Sequence, residues 1–260
     1  MKIVGYIKET IERSNVKWTI SRPEHRNSLG TTIGLELHEK LCQLEKLQPN
    51  PRTLTITTQQ VNSKDKPIWV AGGDLKELSL LDKQQGGDYA SLWSSICQKL
   101  EALPAIVIAS IHGGAIGGGA ELALACDIRI ATNAAYFDFK QLKVGLATGY
   151  GGTRRLVDLV GLGMAQKWLL LSKKVTAHEA TTTGLIHQTF ATADKLAAAT
   201  SEIAKNLADI GCEPLQAQKK MLQKANPQKN SSYAAELKIF QSIWMNPKHQ
   251  AFLHEFNNRK

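Results

Sequence analysis

Five glycines fall within seven positions in the segment Ile111-His112-Gly113-Gly114-Ala115-Ile116-Gly117-Gly118-Gly119-Ala120-Glu121. Glycine loses more backbone entropy on ordering than any other residue, so such a run marks a place where bare backbone is needed. The run follows a continuous apolar stretch, Ala105 to Ile111, and precedes an apolar helix candidate, Leu122 to Cys126. A glycine turn that opens a helix leaves N–H groups unpaired at the positive end of the helix dipole, which suits an oxyanion or a phosphate. The same turn could instead serve only to pack a strand tightly against a helix. Trp69-Val70-Ala71-Gly72-Gly73-Asp74-Leu75-Lys76-Glu77-Leu78 repeats the layout, with Asp74 placed as a helix N-cap and the Gly73 N–H as another candidate donor. Glu121, in the first turn of the helix that follows the glycine run, is a carboxylate placed to complement its dipole. His112, where strand meets turn, reads as a histidine hydrogen-bonded to backbone rather than a base. Phosphate loops of the GxxxxGK type, GxSxG, HExxH and an in-phase GxGxxG are all missing, which removes support for nucleotide hydrolysis, serine-hydrolase and zinc-protease chemistry.

These turns need strands and helices to aim them. Thr53 to Thr58 alternates with period two, Ile68 to Ala71 is a short apolar run, and Ala105 to Ile111 has the continuous apolarity of a buried strand. Leu35, Leu41 and Leu44 repeat near 3.6 within a helix candidate over Leu35 to Leu47, and Leu162 to Leu171 is a second one. Alternation of this kind predicts an α/β architecture. From about Asp194 only helical stripes remain: Leu196, Ile203, Leu207 and Ile210, closed by Gly211 as a C-cap; Leu237, Phe240 and Trp244; then Phe252 and Phe256. Pro214 suits the first turn of the helix after Gly211. The division expected is a core over 1–193 and a helical docking or oligomerisation region over 194–260.

The 260 residues are 43% hydrophobic and 21% charged, an ordinary globular composition. No apolar run reaches the roughly 20 residues that cross a bilayer, and Met1 to Lys8 is too short and interrupted for a signal peptide, so the expectation is a cytoplasmic protein without membrane association. The formal charge of +9 favours an anionic partner, a phosphorylated cofactor or nucleic acid. Cys42, Cys97, Cys126 and Cys212 have no metal-ligand spacing and read as reduced thiols. Asn230-Ser231-Ser232 matches a glycosylation sequon that carries no weight without export.

The two glycine segments are joined by Ser21-Arg22-Pro23-Glu24-His25-Arg26-Asn27-Ser28-Leu29, by Gly149-Tyr150-Gly151-Gly152-Thr153-Arg154-Arg155-Leu156, and by a late stretch with Ala177, Gly184, Leu185 and Ile186. In that order, over nearly the whole chain, they resemble the crotonase superfamily of enoyl-CoA hydratases and isomerases. The resemblance implies a spiral of ββα units, a helical C-terminal trimerisation region, and an acyl-CoA substrate, with coenzyme A brought in as part of the substrate and no separate cofactor. It implies that the N–H groups of Gly73 and Gly118 form the oxyanion hole, where one donor is worth about 2.7 to 4 kcal/mol in the transition state. It makes Glu121 the first catalytic glutamate, and places Arg26, Ala71 and Lys76 against CoA, with Phe252 reaching CoA from a neighbouring subunit. Glu255 stands where a basic residue belongs in relatives.

The second catalytic glutamate is replaced by Gln141, 20 residues past Glu121. An amide can hold a water or a carbonyl but does not exchange a proton near neutral pH. Asp138 and Lys140 flank this position without an assigned role. The leading expectation is an enoyl-CoA hydratase-like lyase working through an enolate, as a homotrimer or homohexamer. The alternatives are a decarboxylase of a malonyl-type CoA thioester, and a non-catalytic member that binds CoA, or RNA through Lys219, Lys220, Lys224 and Lys229.

Overall fold

The computed structural model describes residues 5–47, 49–60, 67–225 and 229–258, the side chains of 229–232 excepted. Lys229 and the Asn230-Ser231-Ser232 sequon therefore lie outside the described side chains, as Met1 to Val4 lie outside the described residues. An antiparallel hairpin of β1 (Tyr6–Glu12) and β2 (Asn15–Ser21) leads into α1 (Thr31–Lys46). Three successive units follow, each sending one strand to a large sheet and the next to a small one. They are β3 (Thr53–Thr58) and β4 (Ile68–Val70) with α2 (Leu75–Leu78) and α3 (Lys83–Ala102); β5 (Ile106–Ile111) and β6 (Gly114–Ile116) with α4 (Gly118–Leu124); and β7 (Ile128–Thr132) and β8 (Tyr136–Asp138) with α5 (Gly152–Val160) and α6 (Leu162–Leu170). Then come β9 (Lys174–Thr176), α7 (Ala177–Thr182), β10 (Gln188–Phe190), α8 (Ala193–Ala208), α9 (Cys212–Lys224), α10 (Lys229–Ile243) and α11 (Pro247–Asn258). The large sheet has the order β1-β2-β3-β5-β7-β10 and the small one β4-β6-β8-β9, with parallel pairing throughout the repeated units. This is the mixed α/β architecture with a helical C-terminal region that the sequence pattern predicts, arranged in the spiral that the resemblance implies.

Strand chemistry explains the layering. In β3 the side chains of Leu54 and Ile56 point to the face covered by α1 and α3, where Leu37, Leu41, Trp93 and Leu100 complete the main core. The opposite face of β5 and β7 offers Ile108 and Ile130, and Leu196 of α8 lies on them with Ile203 and Leu207 beside it. The expected stripe therefore lands on the sheet as far as Leu207; Ile210 falls past the helix and is exposed. Gly211 is extended (φ −57°, ψ 144°) and caps the start of α9 rather than closing α8. Leu35 also departs from expectation, because Ile33, Leu37, Leu41 and Leu44 form the buried stripe and leave it facing solvent. Among the described residues no helix is long and apolar enough to cross a membrane.

Helix α9 is tied to the core by one buried cation. The Lys219 ammonium donates to the Ala105 carbonyl at 2.9 Å and to the Asp127 carboxylate at 2.6 Å, while Asp127 also accepts from the Val107 N–H at 2.7 Å. This corrects the expectation that Lys219 could serve a basic surface with Lys220 and Lys224: it is only 5% exposed. Lys219→Ala removes both bonds of the buried ammonium, but Asp127 is 28% exposed and keeps the Val107 N–H, so the loss is about 1 to 3 kcal/mol. Thermal or urea unfolding should show a destabilisation of that size; a change below about 1 kcal/mol would mean the pair does not anchor α9.

Candidate active site

The two glycine turns meet. Gly72 has φ +87°, and a Cβ there would stand 2.8 Å from the Ile116 carbonyl oxygen and 3.4 Å from the Gly118 nitrogen. Gly117 (φ 52°, ψ −119°) occupies a region L-residues avoid and turns β6 directly into α4. Asp74 caps α2 by accepting from the Lys76 and Glu77 N–H groups, and its carboxylate is held by Arg22 at 2.7 Å. The result brings the Gly73 and Gly118 turns side by side, and neither N–H has an acceptor among the described residues.

Glu121 lies one turn into α4, but its carboxylate does not serve that helix's own dipole. It reaches the N-terminus of α5, where Oε2 accepts from the N–H groups of Tyr150 at 2.8 Å, Gly152 at 3.0 Å and Gly149 at 3.2 Å. Gln141, which opens the turn after β8, donates its Nε2 to Glu121 Oε1 at 3.0 Å. The neighbouring oxygen, Gln141 Oε1, is buried and has no partner among the described residues. Burial is the main force on Glu121, the Glu236 carboxylate adds to it, and the N–H donors oppose both; the net effect raises its pKa to about 7. Glu236 itself accepts from the Thr153 and Arg154 N–H groups of α5 at 3.2 and 3.3 Å.

The 149–152 turn that grips Glu121 is held from behind. Gly151 takes φ +85°, and the Arg155 guanidinium donates to the Tyr150 carbonyl at 2.6 Å and to Glu101 at 3.0 Å, with the Tyr233 ring 4.6 Å away. Tyr233 also donates to Glu101, so α10 braces the turn through α3 and α5.

A cavity of about 550 Å³ opens over this arrangement, large enough for a small-molecule ligand. It is lined by Gly73, Gly118, Glu121, Gln141, Arg26, Ala71 and Phe252 together. Lys76 is exposed on α2 and outside the lining, and His112 is also outside it, bonded to Thr132 Oγ1 at 3.3 Å. Phe252 lines the cavity of its own chain, where the resemblance implied a neighbour's. The reason is local: Met245, at φ +61°, reverses the chain, and Asn246 and His249 then bond to the carbonyls of Gly145 and Val144, seating α11 on the Gln141 turn. Sequence reasoning missed Lys143 at the rim and the aromatic wall of Tyr89, Tyr150, Phe240 and Trp244. Phe240 and Trp244 had a signal in their helical stripe; Tyr89 sits mid-helix in α3 with none.

The pattern of the enoyl-CoA hydratase/isomerase family matches residues 10–260. The chain is 38% identical over 176 residues to YngF of Bacillus subtilis, covering 68% of this chain and 65% of that protein. It is 33% identical over 170 residues to the short-chain-enoyl-CoA hydratase of Clostridium acetobutylicum, covering 65% and 63%. The chain thus spans just under two thirds of the length of these curated relatives. The crystal structure of an enoyl-CoA hydratase from Bacillus anthracis superposes with a TM-score of 0.79 at 28% identity, over 98% of this chain and 96% of that one.

Gly152→Ala probes the seat of Glu121 with Glu121 and Gln141 themselves unchanged. The added Cβ would fall 2.5 to 2.8 Å from the Glu121 side chain and force it aside. Misplacing a reacting group by about 1 Å costs on the order of 10² in rate, so any reaction that Glu121 carries should slow by about that factor while ligand binding in the cavity persists. Steady-state kinetics with calorimetric binding reads both; wild-type turnover would show that the seat of Glu121 is immaterial.

Proposed function

The chain belongs to the enoyl-CoA hydratase/isomerase family, and from that premise we propose that it is an acyl-CoA enzyme of the lyase kind, adding water to short 2-enoyl-CoA thioesters through an enolate. The observation that carries this reading is a buried carboxylate poised near neutrality beside two unpaired N–H groups. The thioester oxygen accepts from Gly73 and Gly118, which stabilise the charge that develops there. Ionised Glu121 takes one proton from a water whose oxygen bonds to the β-carbon, and the π electrons move onto the thioester oxygen. The enolate then collapses, and the α-carbon takes that same proton from Glu121, so one acid/base group closes the cycle. Gln141 exchanges no proton: its Nε2 fixes Glu121, and its Oε1 can accept a hydrogen bond from the water's second O–H, which stays on the product hydroxyl. Arg26 and Lys143 at the rim supply positive charge for the CoA phosphates. Assembly into trimers, or pairs of trimers, belongs to the same proposal and is supported by the exposed Leu142, Leu162 and Leu170 gathered around one groove.

A second reading draws on Gln141. With an amide there, a malonyl-type thioester meets only one carboxylate, and loss of CO₂ leaves the same enolate in the same hole. Glu121 would then protonate the α-carbon and must start in its acid form.

The two readings predict opposite pH dependence. Hydration needs ionised Glu121, so kcat/KM should rise as pH passes through about 7; decarboxylation needs it protonated, so kcat/KM should fall over the same range. Assay of crotonyl-CoA beside methylmalonyl- and ethylmalonyl-CoA decides between them, and turnover of none would overturn both. Glu121→Gln should cut turnover by about 10² to 10⁴ with acyl-CoA binding retained. Gln141→Glu restores a second carboxylate and should raise crotonyl-CoA hydration; no gain would mean the pocket is built for other chemistry.

A further inference from the structure

The inner wall of the cavity is more aromatic than water addition requires. Tyr150 and Tyr89 line it, and Trp93, fully buried, backs them: the Tyr150 and Trp93 rings stack at 6.0 Å with 28° between planes, and Tyr89 meets Tyr150 edge-on at 6.3 Å. The hydroxyls form a chain in which Tyr150 donates to Tyr89 at 2.9 Å and Tyr89 donates to the Leu29 carbonyl at 2.7 Å. Burial keeps both phenols protonated, so the chain persists across physiological pH. Leu29 is paired with the Gly73 strand segment, its N–H donating to Gly72 and its carbonyl accepting from Asp74.

Each tyrosine stands against one of the two glycines assigned to the oxyanion hole. A Cβ on Gly118 would fall 2.4 Å from Tyr150 Cε2, and one on Gly73 would fall 3.0 Å from the Tyr89 hydroxyl. Tyr150 is at the same time one of the residues whose N–H grips Glu121. A thioester held at both glycines, with its α-carbon near Glu121, therefore has its acyl chain directed at a ring that is stacked on one side and hydrogen-bonded at its tip. A packed ring so fixed cannot rotate away at small cost.

We propose that Tyr150, locked by Tyr89 and Trp93, is the specificity-determining depth stop of the acyl site and limits the chain to thioesters of about crotonyl size. This rests on the acyl-CoA reading above. Tyr150→Ala keeps the backbone N–H on Glu121 and removes the stop together with its stacking on Trp93 and its bond to Tyr89.

The test is calorimetric binding of acetyl-, butyryl- and octanoyl-CoA, which are saturated and do not turn over, to the full chain and its variants. Wild-type protein should bind butyryl-CoA about tenfold or more tighter than octanoyl-CoA. In Tyr150→Ala the order should reverse, because each newly buried methylene is worth roughly fourfold in affinity. Tyr150→Phe retains the ring and should keep the wild-type order. Tyr150→Leu, which still fills part of the site, should relax the order in the same direction and reads the proposal even where the alanine variant does not fold. An unchanged butyryl-to-octanoyl ratio in the folded Ala or Leu variant, or a wild type that binds octanoyl-CoA as tightly as butyryl-CoA, overturns the depth stop alone. A wild type that binds none of the three overturns the acyl-CoA reading and the depth stop together.

Discussion

A carboxylate taken out of water must be stabilised by fixed donors, and the bond set around Glu121 meets that demand. Three backbone N–H groups at the start of α5 and the Gln141 amide converge on it, supplied by a helix in one ββα unit and accepted by a side chain of the preceding unit. The spiral is what makes this meeting possible, because each turn sets the next strand pair alongside the last and brings the head of one helix to the side of another. The donors do not fully offset burial and the Glu236 charge, so the group is left near neutrality. Its folded-state pKa lies above its ordinary value of 4.5, so the folded chain binds this proton more tightly than the unfolded one. The contribution of Glu121 to stability therefore declines as pH rises from about 4.5 to 7.

The C-terminal helices belong to this same device. Tyr233 and Glu236 on α10 act on the 149–152 turn, one through Glu101 and Arg155 and the other directly at the α5 N–H groups. Through Asn246 and His249, α11 bonds to the turn that carries Gln141. The region from α10 onward thus sets the geometry of both Glu121 and Gln141 from outside the spiral.

Where local pattern and burial agree, the sequence is legible. Thr53–Thr58 and the apolar run into Ile111 become strands as written, and the costly glycines at 72, 113 and 117 all sit at positive φ. The pairing of Glu121 with Gln141 is readable from motif order and is realised as a 3.0 Å hydrogen bond. Contacts between residues distant in sequence are not readable in this way. Lys219 looks like its solvated neighbours until Asp127, 92 positions away, is folded against it. Tyr89 and Tyr150 meet across 61 positions with no local signal. Leu35 shares the helical period of Leu41 and Leu44 only loosely, and the core selects Ile33 and Leu37 instead.

The central claim is that Glu121 titrates near neutrality because burial and the Glu236 charge outweigh the N–H donors at the head of α5. Carbon-13 NMR of glutamate carboxyl groups, recorded across pH for the wild type and for Glu121→Gln, observes this group directly. One carboxyl resonance, absent from the variant, should titrate near pH 7. If the resonance lost in the variant titrates near 4.5 like an exposed glutamate, the account of the site is wrong.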